Sequence, residues 1–143
     1  MSNFSQFMKQ NKVKKENVEY VATKSLIDQN GEPLIWTLKP LTTKENDAIR
    51  DDCTKEVPIP GKSNVFRQKL NTSKYIAKMI CASVVEPNLN DKELQDSYGV
   101  MGTEELLKEM VDDPGEYADL ALFIQEFNGF TANMDEKVEE AKN

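Results

Sequence analysis

Acidic and amide side chains are concentrated in one stretch of the chain, EPNLNDKELQD, which runs from Glu86 to Asp96. Oxygen-rich residues at this spacing could bind calcium, or could supply the pair of carboxyl groups that a glycoside hydrolase uses. A calcium loop needs a glycine among its acids, and here the nearest glycine, Gly99, follows them. A hydrolase needs two acids in a cleft, and nothing in the sequence singles out two of the 25 acidic residues. We therefore expect neither a metal site nor a catalytic acid pair in this stretch.

The other residues that could do chemistry lack the partners they would need. The sequence contains no histidine, which removes the commonest general base and the commonest zinc ligand. Cys53 and Cys81 lie far apart and have no activating base, so we interpret them as reduced thiols, with Cys81 in the core. The segment PGKS, residues 60–63, is similar to the end of a phosphate-binding loop, but Glu56 stands where the first glycine should be. The sequence therefore predicts no enzyme and no cofactor.

The acidic stretch is better explained as a joint between two helices. Pro87 cannot continue the helix before it, and Asn90 is a suitable cap for the next one. Glu93 lies three residues after Asn90, where it would complete a capping box, and Gly99 suits the left-handed conformation that ends a helix.

Charge and hydropathy narrow the classes of partner. The net charge is −7, and the one basic cluster is KVKK at residues 12–15, so a nucleic-acid backbone would mostly meet like charge. No apolar run is long enough for a signal peptide or for a membrane-spanning helix. We expect a soluble protein that acts in a cytoplasm, with no nucleic-acid or membrane partner.

Alternating apolar residues over residues 17–41 predict a β-hairpin. The apolar sides of its two strands are Val18, Tyr20 and Ala22, and Leu34, Trp36 and Leu38. The Asn30-Gly31 pair between the strands tolerates the positive φ of a tight turn. Because a two-stranded hairpin is marginally stable alone, its Trp36 face must cover helices, another sheet or another subunit.

Residues 42–130 predict four to five short helices, so the fold class is α+β, an N-terminal β-hairpin followed by a mainly α-helical bundle. The start signals are Thr42 with Glu45, Thr72, Asn90, Thr103 and Asp113 with Pro114, and the stop signals are Pro87, Gly99 and Gly129. The helix after Thr72 is the most apolar and is expected to continue through Val84. VFRQKLN, residues 65–71, suits either a third short strand or the lead-in to that helix.

The two ends differ from this single domain of residues 17–130. Residues 1–16 form a polar arm in which Phe4 and Phe7 fall at helical spacing, and we expect the arm to be flexible unless a partner orders it. Residues 131–143 form a charged tail with a thin apolar line that includes Met134.

The hairpin segment NGEPLIWTLKPLTTKENDAIRDDCTKEV, the segment YIAKMICASVVEPNLNDKELQDSYGVMGTEELLKEMVDDPGEYADLALFIQEFNGF and the ending VEEAKN together resemble the XkdN-like phage tail assembly chaperone family. This family is found in long-tailed phages and defective prophages of Gram-positive bacteria. The resemblance covers about residues 4–143 and rests on packing and capping residues rather than on a catalytic motif.

The resemblance implies a non-structural factor encoded between the genes for the tail tube and the tape measure protein, and often also made as a longer, frameshifted product. Such a factor binds the long, helical, aggregation-prone tape measure protein in the cytoplasm of the bacterial host, and keeps it soluble until tube subunits assemble around it. The tail tube protein is a further possible partner. The alternative is a structural tail or head-completion protein that stays in the particle.

The family pattern marks no binding site, so the candidate contact residues come from surplus apolar side chains. These are Phe4, Phe7, Trp36, Phe127, Phe130 and Met134. The hairpin edge is also a template for pairing with a second copy, which makes a homo-oligomer a further expectation.

Overall fold

The structure is a computed structural model, and it describes residues 3–130. The strands are β1 (Val18–Tyr20), β2 (Trp36–Leu38), β3 (Thr54–Pro58), β4 (Phe66–Leu70) and β5 (Val84–Glu86), and the α-helices are α1 (Thr43–Asp52), α2 (Thr72–Ser83), α3 (Lys92–Ser97), α4 (Thr103–Met110) and α5 (Pro114–Phe127). This confirms the α+β class, and the five α-helices within residues 3–130 agree with the upper end of the predicted four to five. The expected charged tail and Met134 lie outside the described residues.

The expected N-terminal hairpin is confirmed, and it gains a third strand. β1 pairs antiparallel with β2, with Tyr20 opposite Trp36 and Val18 opposite Leu38. β5 pairs antiparallel with the other edge of β2, so the sheet order is β1-β2-β5. The expectation that α2 continues through Val84 is wrong, because the backbone there becomes extended and pairs with β2.

The core lies between this sheet and three helices. Trp36 and Leu38 project from the central strand and are buried. They pack into one cluster with apolar residues of α2, α4 and α5, and α2 contacts both α4 and α5. The fully or almost fully buried members are Ala22, Trp36, Leu38, Met79, Ile80, Leu89, Leu106, Leu107, Met110, Val111, Leu120, Ala121 and Ile124. The Trp36 face therefore covers helices, which is one of the three arrangements expected for it.

A second, separate hairpin joins α1 to α2. β3 and β4 pair antiparallel over five residue pairs, from Thr54 opposite Leu70 to Pro58 opposite Phe66. The segment VFRQKLN is therefore a strand rather than a lead-in, and the loop of this hairpin covers residues 59–65. Alternation is weak here because most side chains of both strands are exposed, so no apolar side marked the hairpin in the sequence.

Helix starts were predicted to within one residue. Thr42 and Glu45 form a reciprocal capping box on α1, and the Asp113 carboxylate accepts a hydrogen bond from the Glu116 amide at the start of α5. The cap of α2 is Asn71 rather than Thr72, and the cap of α3 is Asp91 rather than Asn90. In both cases neighbouring residues of suitable type compete, and spacing alone cannot choose between them.

The first residues of the chain form short 3-10 turns, Asn3–Phe7 and Lys9–Asn11, that contain no buried residue. The boundary between arm and domain at residues 16 and 17 stays a prediction.

The capping box gives stability a pH dependence. The Glu45 carboxylate accepts hydrogen bonds from the Lys39 ammonium group at 2.7 Å and from the Thr42 amide at 3.1 Å, which lower its pKa from the ordinary value of 4.5. A lowered folded-state pKa stabilises the fold above the unfolded-state pKa, and that stabilisation is lost as the pH falls through the folded-state pKa. Both side chains are more than a third exposed, so solvent screens the pair and the effect is small.

We expect Glu45→Gln to lower the melting temperature slightly at about pH 7 and to make a smaller difference at about pH 3, because the wild-type carboxyl becomes protonated as the pH falls through its lowered pKa. Thermal unfolding followed by circular dichroism at both pH values measures this. An equal loss at both values would show that the residue acts without its charge.

Candidate partner-binding surface

An apolar groove opens on the surface beside the three-stranded sheet. Its volume is about 320 Å³, at the lower end of the range of ligand-binding pockets. The lining residues are Leu26, Leu34, Ile35, Trp36, Glu86, Pro87, Leu94, Tyr98 and Met110. Eight of these nine side chains are apolar or aromatic, so the groove suits apolar side chains of a partner.

One wall of the groove comes from the loop that joins β1 to β2. Within this loop the Leu34 amide donates to the Leu26 carbonyl at 2.8 Å, and Ile27 pairs with Pro33, which forms a small nested turn. The Asp28 carboxylate accepts from the amides of Asn30 and Glu32 and fixes the tip of the turn. This turn holds Leu34 and Ile35 at the surface, where they are 41% and 58% exposed.

The start of the same loop is tied to α5. The Glu116 carboxylate accepts from the Thr23 hydroxyl at 2.7 Å and from the Lys24 amide at 2.8 Å. Glu116 lies in the first turn of α5, and its carboxylate anchors the loop to this helix. The loop wall of the groove is therefore held at both ends.

A second part of the lining comes from α3. Leu94 lies within this helix, and Tyr98 is its C-cap residue. Gln95 on the same helix donates to the Leu89 carbonyl at 2.8 Å and accepts from the Gly102 amide at 3.1 Å, which fixes the helix to its flanking loops. The acidic stretch of residues 86–96, first considered as a calcium loop, thus positions part of the groove lining.

The segments that line the groove carry an excess of negative charge. Residues 26–35 hold two acids and no base, and residues 86–98 hold four acids and one lysine. In the part of the chain that the structure describes, none of these acids forms an ion pair. The surroundings of the groove therefore favour a partner with basic residues next to its apolar ones.

The residues proposed from sequence do not gather at one place. Phe4 and Phe7 are 71% and 84% exposed on the N-terminal turns. Trp36 is 1% exposed and is one of the lining residues of the groove, and its role as a partner contact stays a prediction. Its large apolar ring fills the space between the central strand and the helices.

Phe127 and Phe130 also have contacts within the chain. Phe127 stacks on Phe123 with ring centroids 6.0 Å apart, Phe123 stacks on Tyr20 at 4.3 Å, and the Lys15 ammonium group lies 4.2 Å from the Phe127 ring. Phe130 is partly buried against the core. Phe127 and Phe130 are thus engaged within the chain, and both residues stay predictions as partner contacts.

Sequence reasoning missed Leu34, Ile35, Leu94 and Tyr98 as a group. The available signal was Ile35, an apolar residue next to Trp36 at a position where alternation calls for a polar one. Their convergence depends on the pairing of β5 with β2, which no local pattern indicated.

Both thiols lie in surroundings that suppress reactivity. Burial raises the pKa of Cys81 to about 11, although a hydrogen bond with Thr103 opposes the rise, and burial also raises the pKa of Cys53. The thiolate is the reactive form, so we expect iodoacetamide to modify neither cysteine of the native chain at about pH 7.5 and both after unfolding in urea. Mass spectrometry over time measures this, and rapid labelling of the native chain would contradict it.

Among the described residues, no cluster of three or more cysteine, aspartate and glutamate side chains could hold a metal ion. No helix within residues 3–130 is long and apolar enough to span a membrane.

Comparisons with known proteins agree with one another. A family model described as the phage XkdN-like tail assembly chaperone protein matches residues 4–142. Two Bacillus subtilis (strain 168) proteins match over 137 residues, 96% of this chain and 91% of each relative: the phage-like element PBSX protein XkdN at 27% identity and the protein YqbN at 28%. A crystal structure of YqbN matches with a TM-score of 0.75 and 25% identity, over 91% of this chain and 98% of that one.

Proposed function

This chain belongs to the family of XkdN-like phage tail assembly chaperones, and we propose that it binds the tape measure protein and keeps it soluble during tail assembly. The observation that carries the proposal is the match of the family model over residues 4–142. We place this activity in the cytoplasm of the bacterial host, before the tail is complete.

The groove supports the proposal because it offers a surface for one side of an amphipathic helix. Leu34 and Ile35 are exposed and line the groove together with Leu94 and Tyr98, so apolar side chains of a partner helix could enter from solvent. A helix that docks in a groove in this way is recognised through side chains spaced three and four residues apart. The acids around the groove would pair with lysine or arginine beside that apolar stripe.

The size of the groove supports reversible coating of the tape measure protein by many copies of this chain. A site of about 320 Å³ accepts only a few side chains, so one copy binds a helical segment weakly. Many copies along one long partner exclude water from its apolar stripe together. Weak individual contacts also allow tail tube subunits to displace the copies one after another.

Co-expression tests the proposal. The tape measure protein from the same phage or prophage is produced alone and with this chain, and its soluble fraction and co-purification with the chain are measured. We expect the soluble fraction to rise and the two proteins to co-purify. No gain in solubility and no co-purification would contradict the proposal.

Purified particles separate this function from that of a structural tail or head-completion protein. A chaperone leaves when the tail is complete, so immunoblots of purified phage should lack this chain while lysates contain it. A constant number of copies in each particle would support the structural alternative.

A further inference from the structure

The β3–β4 hairpin differs in charge from the rest of the molecule. Residues 54–70 contain four basic residues, Lys55, Lys62, Arg67 and Lys69, and one acid, Glu56. The whole chain has a net charge of −7, so the hairpin is basic while the rest of the chain is acidic. Within residues 3–130, none of the four basic side chains forms an ion pair.

The hairpin carries a like-charge contact that costs stability. Lys55 lies directly opposite Lys69 in the antiparallel register, and both side chains are exposed. Like charges in directly opposed positions destabilise a strand pair, and a two-stranded hairpin is already marginal in water. An anionic group bound between the two lysines would turn this repulsion into attraction.

A groove runs beside these lysines. It lies between the hairpin and the first turns of α2, has a volume of about 770 Å³, and is wide open to solvent. The lining residues are Lys55, Val57, Lys69, Leu70, Asn71, Thr72, Ser73 and Ile76. It therefore combines apolar side chains with two unpaired cations, and suits a chain segment that carries both apolar and acidic residues.

We propose that this basic groove binds the C-terminal segment of the same chain, residues 131–143. That segment reads TANMDEKVEEAKN and contains four acids and two lysines, Lys137 and Lys142. Two of the acids and Lys137 lie between Met134 and Val138, and the other two acids follow Val138. The apolar side chains of Met134 and Val138 meet Val57, Leu70 and Ile76. The neighbouring acids, Asp135, Glu136, Glu139 and Glu140, supply the partners of Lys55 and Lys69.

The segment starts close enough to reach the groove. Phe130 lines a small cavity together with Thr42 and Asn46, at the start of α1. The Asn46 side chain accepts a hydrogen bond from the Tyr75 hydroxyl, and Tyr75 is the neighbour of Ile76 in the basic groove. Thirteen residues follow Phe130, and at about 3.3 Å per residue they span up to about 43 Å, which exceeds the roughly 15 Å length of α1.

Attachment to the same chain favours this contact over binding in trans. A short flexible connection gives a tethered segment an effective concentration of the order of millimolar, which makes weak charge and apolar contacts sufficient. In the free protein the segment then covers the exposed hairpin and its edges, and limits their pairing with acidic segments of other chains. This proposal concerns the free chain and does not depend on the tape measure protein.

Nuclear Overhauser effects between methyl groups test the contact in the full-length chain. In the wild type we expect cross-peaks from Val138 methyls to Leu70 and Ile76 methyls. Replacing both lysines, Lys55→Gln and Lys69→Gln, should abolish these cross-peaks. The double variant also removes the repulsion within the hairpin, so loss of the contact cannot be attributed to unfolding of β3 and β4.

The matched control is Lys44→Gln with Lys92→Gln, which changes the net charge equally at exposed sites outside the groove. This control should keep the cross-peaks. Their absence in the wild type, or equal loss in both double variants, would overturn the proposal. A sample that mixes isotope-labelled with unlabelled chains tests the contact in cis, because cross-peaks between different molecules would also overturn it.

Discussion

Replacing Trp36 with alanine is expected to lower the free energy of unfolding by about 3–5 kcal/mol, which is a large part of the roughly 5–15 kcal/mol of an ordinary domain. Trp36 is 1% exposed on the central strand of the sheet and belongs to the cluster formed with α2, α4 and α5. Its removal leaves a cavity that β2 cannot close without breaking its pairing with β1 and β5. Urea unfolding followed by circular dichroism measures the loss.

The matched control for this variant is the preceding residue. Ile35 is 58% exposed, so Ile35→Ala should change stability by no more than about 0.5–1 kcal/mol. A loss at Ile35 as large as that at Trp36 would show that the cost does not depend on burial of the side chain. A loss below about 1 kcal/mol at Trp36 would contradict its place in the core.

Replacing Ile35 with aspartate should abolish co-purification with the tape measure protein while the fold is kept. An aspartate at the edge of the apolar groove would be buried beneath the partner without a counter-charge, and burying an unpaired charge is strongly unfavourable. We expect affinity to fall by at least about 100-fold, since several kcal/mol are involved. Pull-down and calorimetric titration with a tape measure fragment measure the loss, and this prediction rests on the proposed function.

Met101→Asp is the control for this experiment. Met101 is 89% exposed and lies outside the groove, so the variant introduces the same charge at an apolar surface residue without touching the proposed site. It should bind as well as the wild type. Equal loss in both variants would point to net charge rather than the groove, and unchanged binding by Ile35→Asp would place the contact elsewhere.

Local signals in the sequence predicted much of the fold because they act over a few residues. Asp113 followed by Pro114 begins α5, and the Thr42 capping box begins α1, since each satisfies exposed backbone amides within one turn. Gly99 and Gly129 adopt the positive φ expected where helices end. Alternation around Trp36 likewise placed the first hairpin, because one face of that sheet is buried.

Long-range pairing was beyond the same reasoning. Val84 continues the apolar spacing of α2, so local spacing predicts a helix there. Residues 84–86 form a strand instead because they pair with the edge of β2 that β1 leaves free. The second hairpin was missed because its exposed strands have no buried side. Trp36 was expected both to cover other elements and to contact a partner, and the groove that it lines joins residues from distant parts of the chain.

The order of the strands has a consequence for synthesis on the ribosome. β2 is central, yet its second neighbour, β5, follows only after α2, and the buried core residues of the helices that cover Trp36 extend to Ile124 in α5. At a synthesis rate of about 5–20 residues per second, roughly 4–18 s pass between the synthesis of Trp36 and that of Ile124. A newly made chain therefore exposes its own most apolar surface during translation, and its yield at high expression should depend on host chaperones that shield nascent chains.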